Sequence, residues 1–200
     1  DQFVLPFCYF FKSLKIQISL ANLYSITLIS VVYAVQNGAI QSIRQAIIKT
    51  HLKITKVVDG DGLFVVNAFS KQEEEIRFLG IDAPEIRRSK KLQQDERETH
   101  LPGQLLLLLG KKSKDFLNSI APVGTSVTIQ LEKPHSIDSF GRTLAYVFLP
   151  DGTCLNELMI KEGFAKPYSR YYCEALADFQ QINIFAKSNR KGLYQTVNDF

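Results

Sequence analysis

Three short stretches of the chain set charged side chains beside turns: "VVDGDG" with Asp59 and Asp61, "RFLGIDAPE" with Arg77, Asp82 and Glu85, and "HSIDSFGRTLAY" with His135, Asp138 and Arg142. Asp61 and Asp82 are hard oxygen donors, and the main-chain carbonyl of Ala83 adds another. That is the donor set of a calcium-type site completed by water, since calcium accepts irregular oxygen cages. No His or Cys cluster accompanies it, which argues against zinc. Two arginines near a hard cation, with a carboxylate to spare, suit attack of water on a phosphodiester. The guanidinium forks of Arg77 and Arg142 neutralise charge building on the phosphate oxygens. Glu85 orients or deprotonates the attacking water.

Each stretch has a plainer reading when taken alone. Asp-Gly pairs make turns. Arg77 by itself reads as an ion-pair partner for Glu73, Glu74, Glu75 or Asp82, and Gly141-Arg142 as the boundary between a loop and a strand. Asp59 falls outside the donor set and supports it at most, and His135 reads as a solvated loop residue without a role. Tyr168, Tyr171 and Tyr172 in "KPYSRYY" offer rings on which bases can stack, although packing against the domain is an equal use for such rings.

The elements that must bring these stretches together follow from hydrophobic periodicity. "LKITKVV" alternates and stops at "DGDG"; "LFVVNAF", a polar "SKQEEE" and "IRFLGI" follow, which reads as a three-strand meander. The charged run 87–102, "RRSKKLQQDERETHLP", has no apolar stripe and reads as a long exposed loop. "GQLLLLLGKKSKDFLNSI" predicts a helix with Leu105, Leu108, Leu109, Phe116 and Ile120 near one face. "TSVTIQLE" and "RTLAYVFL" predict a fourth and a fifth strand. "CLNELMIKEGFA" and "EALADFQQINIFAKSNRKG" predict closing helices stopped near Gly163 and Gly192. The sum is an α+β fold, mainly a five-stranded Greek-key barrel with about three helices.

Composition sets wider bounds. A 200-residue chain with 46% hydrophobic residues can bury one good core, and 24 basic against 20 acidic residues leave a mild +4 that a polyanionic partner suits but is not required by. Three cysteines (Cys8, Cys154, Cys173) form neither a zinc pattern nor a disulfide framework. Cys154 and Cys173 are read either as a pair formed in an oxidising compartment or as two buried thiols. Residues 1–43 differ in character from the rest: Lys12 and Lys15 flank an uncharged apolar run that lasts to Arg44, with small residues at Val32 and Ala34. This pattern predicts an export signal or, with no cleavage, a membrane anchor. Either places the remainder outside the cytoplasm, secreted or periplasmic, or tethered to a membrane. The boundaries are then 1–43 signal or anchor, 44–52 linker, 53–193 barrel domain and 194–200 C-terminal tail.

The ordered series "VVDGDG", "RFLGIDAPE", "DSFGRTLAY" and "LNELMIKEGFAK" resembles the staphylococcal nuclease (thermonuclease) family, over about Lys53 to Gly192. The resemblance implies an OB-fold barrel with helices that hydrolyses DNA and RNA with calcium; the chain is read besides as a monomer in which no obligate protein partner is evident. It implies Asp61 and Asp82 as calcium ligands with the Ala83 carbonyl beside them, Glu85 as the general base that positions water, and Arg77 and Arg142 as contacts to the scissile phosphate. This chain departs from the pattern in carrying Gly62 where Thr often follows "DGD", Ala83 where Thr can follow the aspartate, and Phe140 where an aromatic hydroxyl is sometimes found. Two other readings compete: a catalytically silent OB-fold nucleic-acid binder, and a tethered interaction domain whose 87–102 loop meets a protein. A pure binder has no need of Glu85 or of paired metal carboxylates.

Overall fold

The computed structural model describes residues 47–133 and 136–200. Strands β1 (Ile47–Val57), β2 (Gly62–Asn67) and β3 (Glu73–Phe78) form the antiparallel meander read from the alternation. β4 is the two-residue strand Ile81–Asp82, and β5 (Ser126–Leu131) and β6 (Thr143–Phe148) follow later. The barrel closes in the order β1-β2-β3-β6-β5. β1 pairs with both β2 and β5, so no edge is left open. The alternation is physical: Val127, Ile129 and Leu131 of β5 point into the core while Thr128 and Gln130 remain half-buried.

β3 and β6 pair in parallel, with Ile76 opposite Thr143 and Arg77 opposite Leu144. Parallel neighbours need a long crossover, and here it carries β4, two helices and β5. The first helix, α1 (Lys90–Thr99), stands where the sequence suggests an exposed loop. Ser89 caps it, its side chain accepting from the Leu92 backbone N–H, and Leu92 is the buried residue of the helix. With one buried apolar position there is no stripe for periodicity to detect. Capping and i,i+4 pairs such as Lys91–Asp95 and Gln94–Glu98 support it instead.

The second helix, α2 (Gly103–Ile120), forms where expected but is rotated from the expected face. It buries Leu106, Leu109, Gly110, Ser113 and Leu117, while Leu108 is 59% exposed. An unbroken leucine run offers apolar atoms on every side, so the small residues decide the face. A side chain at Gly110 would collide with the carbonyls of Pro84 and Glu85, and one at Gly60 would collide with Ser113. α2 therefore lies directly on the two loops that carry the carboxylates.

α3 (Leu155–Lys161) and α4 (Leu176–Ser188) complete the helices, and β7 (Lys166–Pro167) pairs with β4. Gly163 follows α3 with φ 75°, the left-handed conformation expected of a helix stop, whereas Gly192 opens a short 3-10 helix, Gly192–Gln195. Asn156, fully buried on α3, takes the Val147 N–H at 3.0 Å and donates to the Leu79 and Ala145 carbonyls. It ties the helix to the ends of β3 and β6.

Two domain boundaries shift. Ile47 to Leu52 is strand rather than linker, because Ile47 and Lys49 pair with Leu131 and Ile129 across the barrel seam. Residues 194–200 are packed rather than a tail: Tyr194, Val197 and Phe200 are buried with Leu92, Leu106, Leu109 and Ala186 in a second cluster beside the barrel core. Cys154 and Cys173 are free thiols, the latter buried with its sulfur 3.2 Å from the Tyr146 hydroxyl. The signal or anchor expected over residues 1–43, Cys8 and His135 lie outside the described residues. Among the described residues, no helix is long and apolar enough to cross a membrane.

Candidate active site

The first two charged stretches meet at one end of the barrel. Asp61 sits in the turn before β2, where its backbone N–H donates to the Asp59 carboxylate at 3.2 Å. Asp59 thus shapes the turn. Arg77 ends β3, and the β4–β7 pair holds Asp82 opposite Lys166. The Arg77 guanidinium forks between two carboxylates, with Nη1 2.6 Å from Asp61 Oδ2 and Nη2 2.9 Å from Asp82 Oδ1. Asp61 Oδ2 also accepts the Ala83 backbone N–H at 2.7 Å, which turns the "DAPE" loop back over the barrel end. All three charged groups are buried, at 5%, 6% and 4% exposure for Asp61, Arg77 and Asp82.

A further cation enters from α1. Lys91 Nζ lies 3.1 Å from Asp82 Oδ2, 3.5 Å from Glu85 Oε1, 3.4 Å from Asp95 Oδ2 and 3.4 Å from the Ala83 carbonyl oxygen. Lys91 and Asp95 are the site residues that the sequence reading missed, because it placed 87–102 in a loop. Ser89 followed by Lys91 and Asp95 at i,i+4 spacing was the available signal for a capped helix presenting that pair.

The third stretch is held apart from this network by its own carboxylate. Asp138 accepts the backbone N–H groups of Phe140 and Arg142 at 2.8 and 2.9 Å, and its Oδ2 takes Arg142 Nε and Nη2 at 2.8 Å each. Arg142 precedes β6, whose Leu144 pairs with Arg77, so the two arginines come from adjacent strands. Phe140 is 79% exposed, with the Arg142 guanidinium 5.5 Å above its ring. An exposed ring and a cation thus stand where the family pattern sometimes has a hydroxyl. A side chain at Gly62 would crowd Asp59 Oδ1 at 2.9 Å, so a Thr there would displace the turn support. Tyr168 follows β7 and donates its backbone N–H to the Gly80 carbonyl at 2.9 Å, close behind Asp82. Tyr171 packs against the barrel core with Arg170 5.8 Å from its ring.

The sequence that builds this site has relatives among known proteins. The family model described as "Staphylococcal nuclease homologue" matches residues 75–196. The chain belongs to the staphylococcal nuclease family. Its relatives include Endonuclease YhcR of Bacillus subtilis, 29% identical over 144 residues that make up 70% of this chain and 11% of that protein. They also include uncharacterised protein MJ1439 of Methanocaldococcus jannaschii, 31% identical over 154 residues covering 74% of this chain and 72% of that protein. An uncharacterised endonuclease of Escherichia coli O157:H7 is 27% identical over 148 residues, with coverages of 74% and 79%.

In this nuclease-family chain the electrostatics follow from burial. Burial pushes the Asp61 carboxyl up, against the pull of Arg77. Burial pulls the Arg77 guanidinium down, but Asp61 and Asp82 outweigh it and hold it above the ordinary arginine value. For Lys91 the same desolvation is outweighed by Asp82, Asp95, Asp61 and Glu85, so its ammonium too is held above the usual range. Burial also raises Asp138, yet the N–H groups of Arg142 and Phe140 and the Arg142 side chain together keep its carboxyl below the ordinary value.

As the side chains stand, no three His, Cys, Asp or Glu residues among those described are gathered closely enough to hold a metal ion. The Arg77 fork and the Lys91 ammonium lie between the carboxylates. The donors are nevertheless of the right chemistry for a hard divalent cation: Asp82 and the Ala83 carbonyl, with Glu85 and Asp95, stand about a single positive charge, and Asp61 adjoins them through the Ala83 N–H. The set fits such an ion in kind, with the ammonium of Lys91 standing in for it.

Proposed function

We propose that this chain is a calcium-dependent nuclease that hydrolyses DNA and RNA by attack of water on phosphate, and that it acts outside the cytoplasm. The observation that carries the reading is the convergence of Asp61, Arg77, Asp82, Ala83 and Glu85 at one barrel end around fixed positive charge. Asp61, Asp82 and the Ala83 carbonyl are the groups that would hold calcium. Calcium, when bound, supplies neutralisation of charge on the phosphate oxygens.

The chain's own residues do the remainder. Glu85, its side chain 30% exposed, faces water and takes a proton from the attacking molecule. Arg77 keeps the two ligand carboxylates at fixed spacing while its fork adds positive charge beneath the phosphate. Arg142, 22% exposed and resting on Asp138, exchanges that carboxylate for a phosphate oxygen when substrate arrives. Half-buried Tyr168 lines the approach close behind Asp82 and offers a face for a base.

The test is digestion of plasmid, single-stranded DNA and RNA with and without EGTA, using the wild type and Glu85→Gln. Cleavage that needs calcium and is lost in E85Q supports the reading; tight binding with no cleavage at any calcium level assigns the chain to the silent binders instead. Export rests on the basic flank and uncharged apolar run of residues 1–43. N-terminal sequencing of secreted material checks it, with a mature end near Val35 expected.

A further inference from the structure

We propose that Lys91 is a tethered counter-cation that closes the metal site, and that the divalent ion must displace its ammonium in order to bind. The inference rests on the calcium reading above and concerns how this chain regulates entry to that site.

Four oxygens from three elements surround one nitrogen: Asp82 from β4, Ala83 and Glu85 from the loop after it, and Asp95 from α1. An ordinary surface ion pair engages one carboxylate. An ammonium offers three donors, and this one is shared among more acceptors than it has protons, at 3.1 to 3.5 Å. That is the behaviour of a point charge centred in an oxygen cage. Arg77 neutralises the cluster from below and Lys91 from the solvent side, so the metal-free carboxylates do not repel one another apart.

An ammonium and a dication cannot share that cage. At a given distance and in the same medium their repulsion is twice the attraction of the ammonium to one carboxylate, so the ammonium is the partner driven out. Ion binding and Lys91 engagement are therefore competing states of one equilibrium. The apparent affinity for the ion is lowered by the population in which Lys91 fills the site. The lysine can leave: its side chain is 32% exposed, on a helix whose buried anchor is Leu92. Its neighbour Lys90, of the same charge on the same turn, is exposed and engages none of these oxygens in any described contact. The pair is thus a built-in control, with equal charge and different position.

The experiment is a calorimetric calcium titration of the full chain as wild type, Lys91→Met and Lys90→Met, with thermal melts in EGTA and in calcium. Displacement requires K91M to bind calcium about tenfold tighter or more than wild type, while K90M shifts affinity by less than about twofold. K91M is also expected to melt lower than wild type in EGTA and to gain more from calcium. Lys91→Gln serves as the second variant if K91M does not fold. An unchanged affinity in K91M and K91Q, with EGTA-sensitive cleavage retained, overturns the inference and leaves the calcium reading standing. A gain in K90M as large as in K91M overturns it too, because a general field effect would then suffice. No calcium binding by any variant, with cleavage persisting in EGTA, removes both.

Discussion

The two arginines of the site come from neighbouring, parallel-paired strands yet live under different physical regimes. Arg77 is buried and divided between two carboxylates, with Asp61 at 2.6 Å and Asp82 at 2.9 Å. Arg142 is partly exposed, tied to Asp138 alone, and lies over an exposed Phe140 ring. Removing the first leaves two desolvated charges; removing the second leaves one, Asp138, still held by two backbone N–H groups. One guanidinium therefore builds the site while the other is held ready beside it, and mutations should separate the two roles.

The largest effect is expected from Arg77→Ala. Breaking a buried pair by removing one partner costs about 3–5 kcal/mol, so urea unfolding should show a loss of that size together with loss of cleavage. A variant of wild-type stability would mean that Asp61 and Asp82 do not depend on the fork. Arg142→Ala should lower turnover on the order of a hundredfold or more, about the worth of one oriented donor to a developing charge. Its unfolding free energy should fall by about 1–3 kcal/mol, the cost of hydrogen bonds lost to a charged group, because the buried Asp138 keeps the Phe140 and Arg142 backbone N–H groups. Equal stability losses in R77A and R142A would erase the distinction.

Gly110→Ala sharpens the comparison from outside the charged set. Its added methyl must displace the Pro84–Glu85 backbone, which should cost about 1–3 kcal/mol in unfolding. Cleavage should fall with it while R142-dependent substrate contacts are unaffected, visible as a lower kcat with little change in KM. The smallest effect belongs to Asp138→Asn, expected to lower Tm by about 2–4 °C at neutral pH. The folded Asp138 carboxyl is held below its ordinary value, so its stabilisation is complete above the ordinary carboxylate range and is lost as pH falls through the lowered folded value. Melts of wild type and D138N should therefore converge under acid and diverge as the pH is raised.

The strands were legible because period-2 alternation survives in "LKITKVV" and "TSVTIQLE", where one face meets the core and the other water. The charged stretches were legible as turns because Asp and Gly signal them locally, and Asp59 holds the first of them; the Asp82–Glu85 loop is tied in place by Asp61, distant in sequence. α1 was not legible, since a helix with one buried residue leaves no periodic trace. Nor was the buried face of α2, because Leu105 to Leu109 present leucine all round and the decision fell to Gly110 and Ser113. The burial of Phe200 and Tyr194 depends on partners about ninety residues away on α2, beyond any local pattern.

By itself, the sequence determined which groups are available: hard carboxylates, a carbonyl after Asp82, two arginines on strand ends and a barrel to carry them. Only the tertiary structure decided which cation each carboxylate faces. Lys90 and Lys91 are chemically the same and adjacent, and in the sequence only the i,i+4 spacing to Asp95 sets Lys91 apart. A helical turn separates neighbouring side chains by about 100° in direction, and that rotation sends one ammonium into the oxygen cage and leaves the other in water.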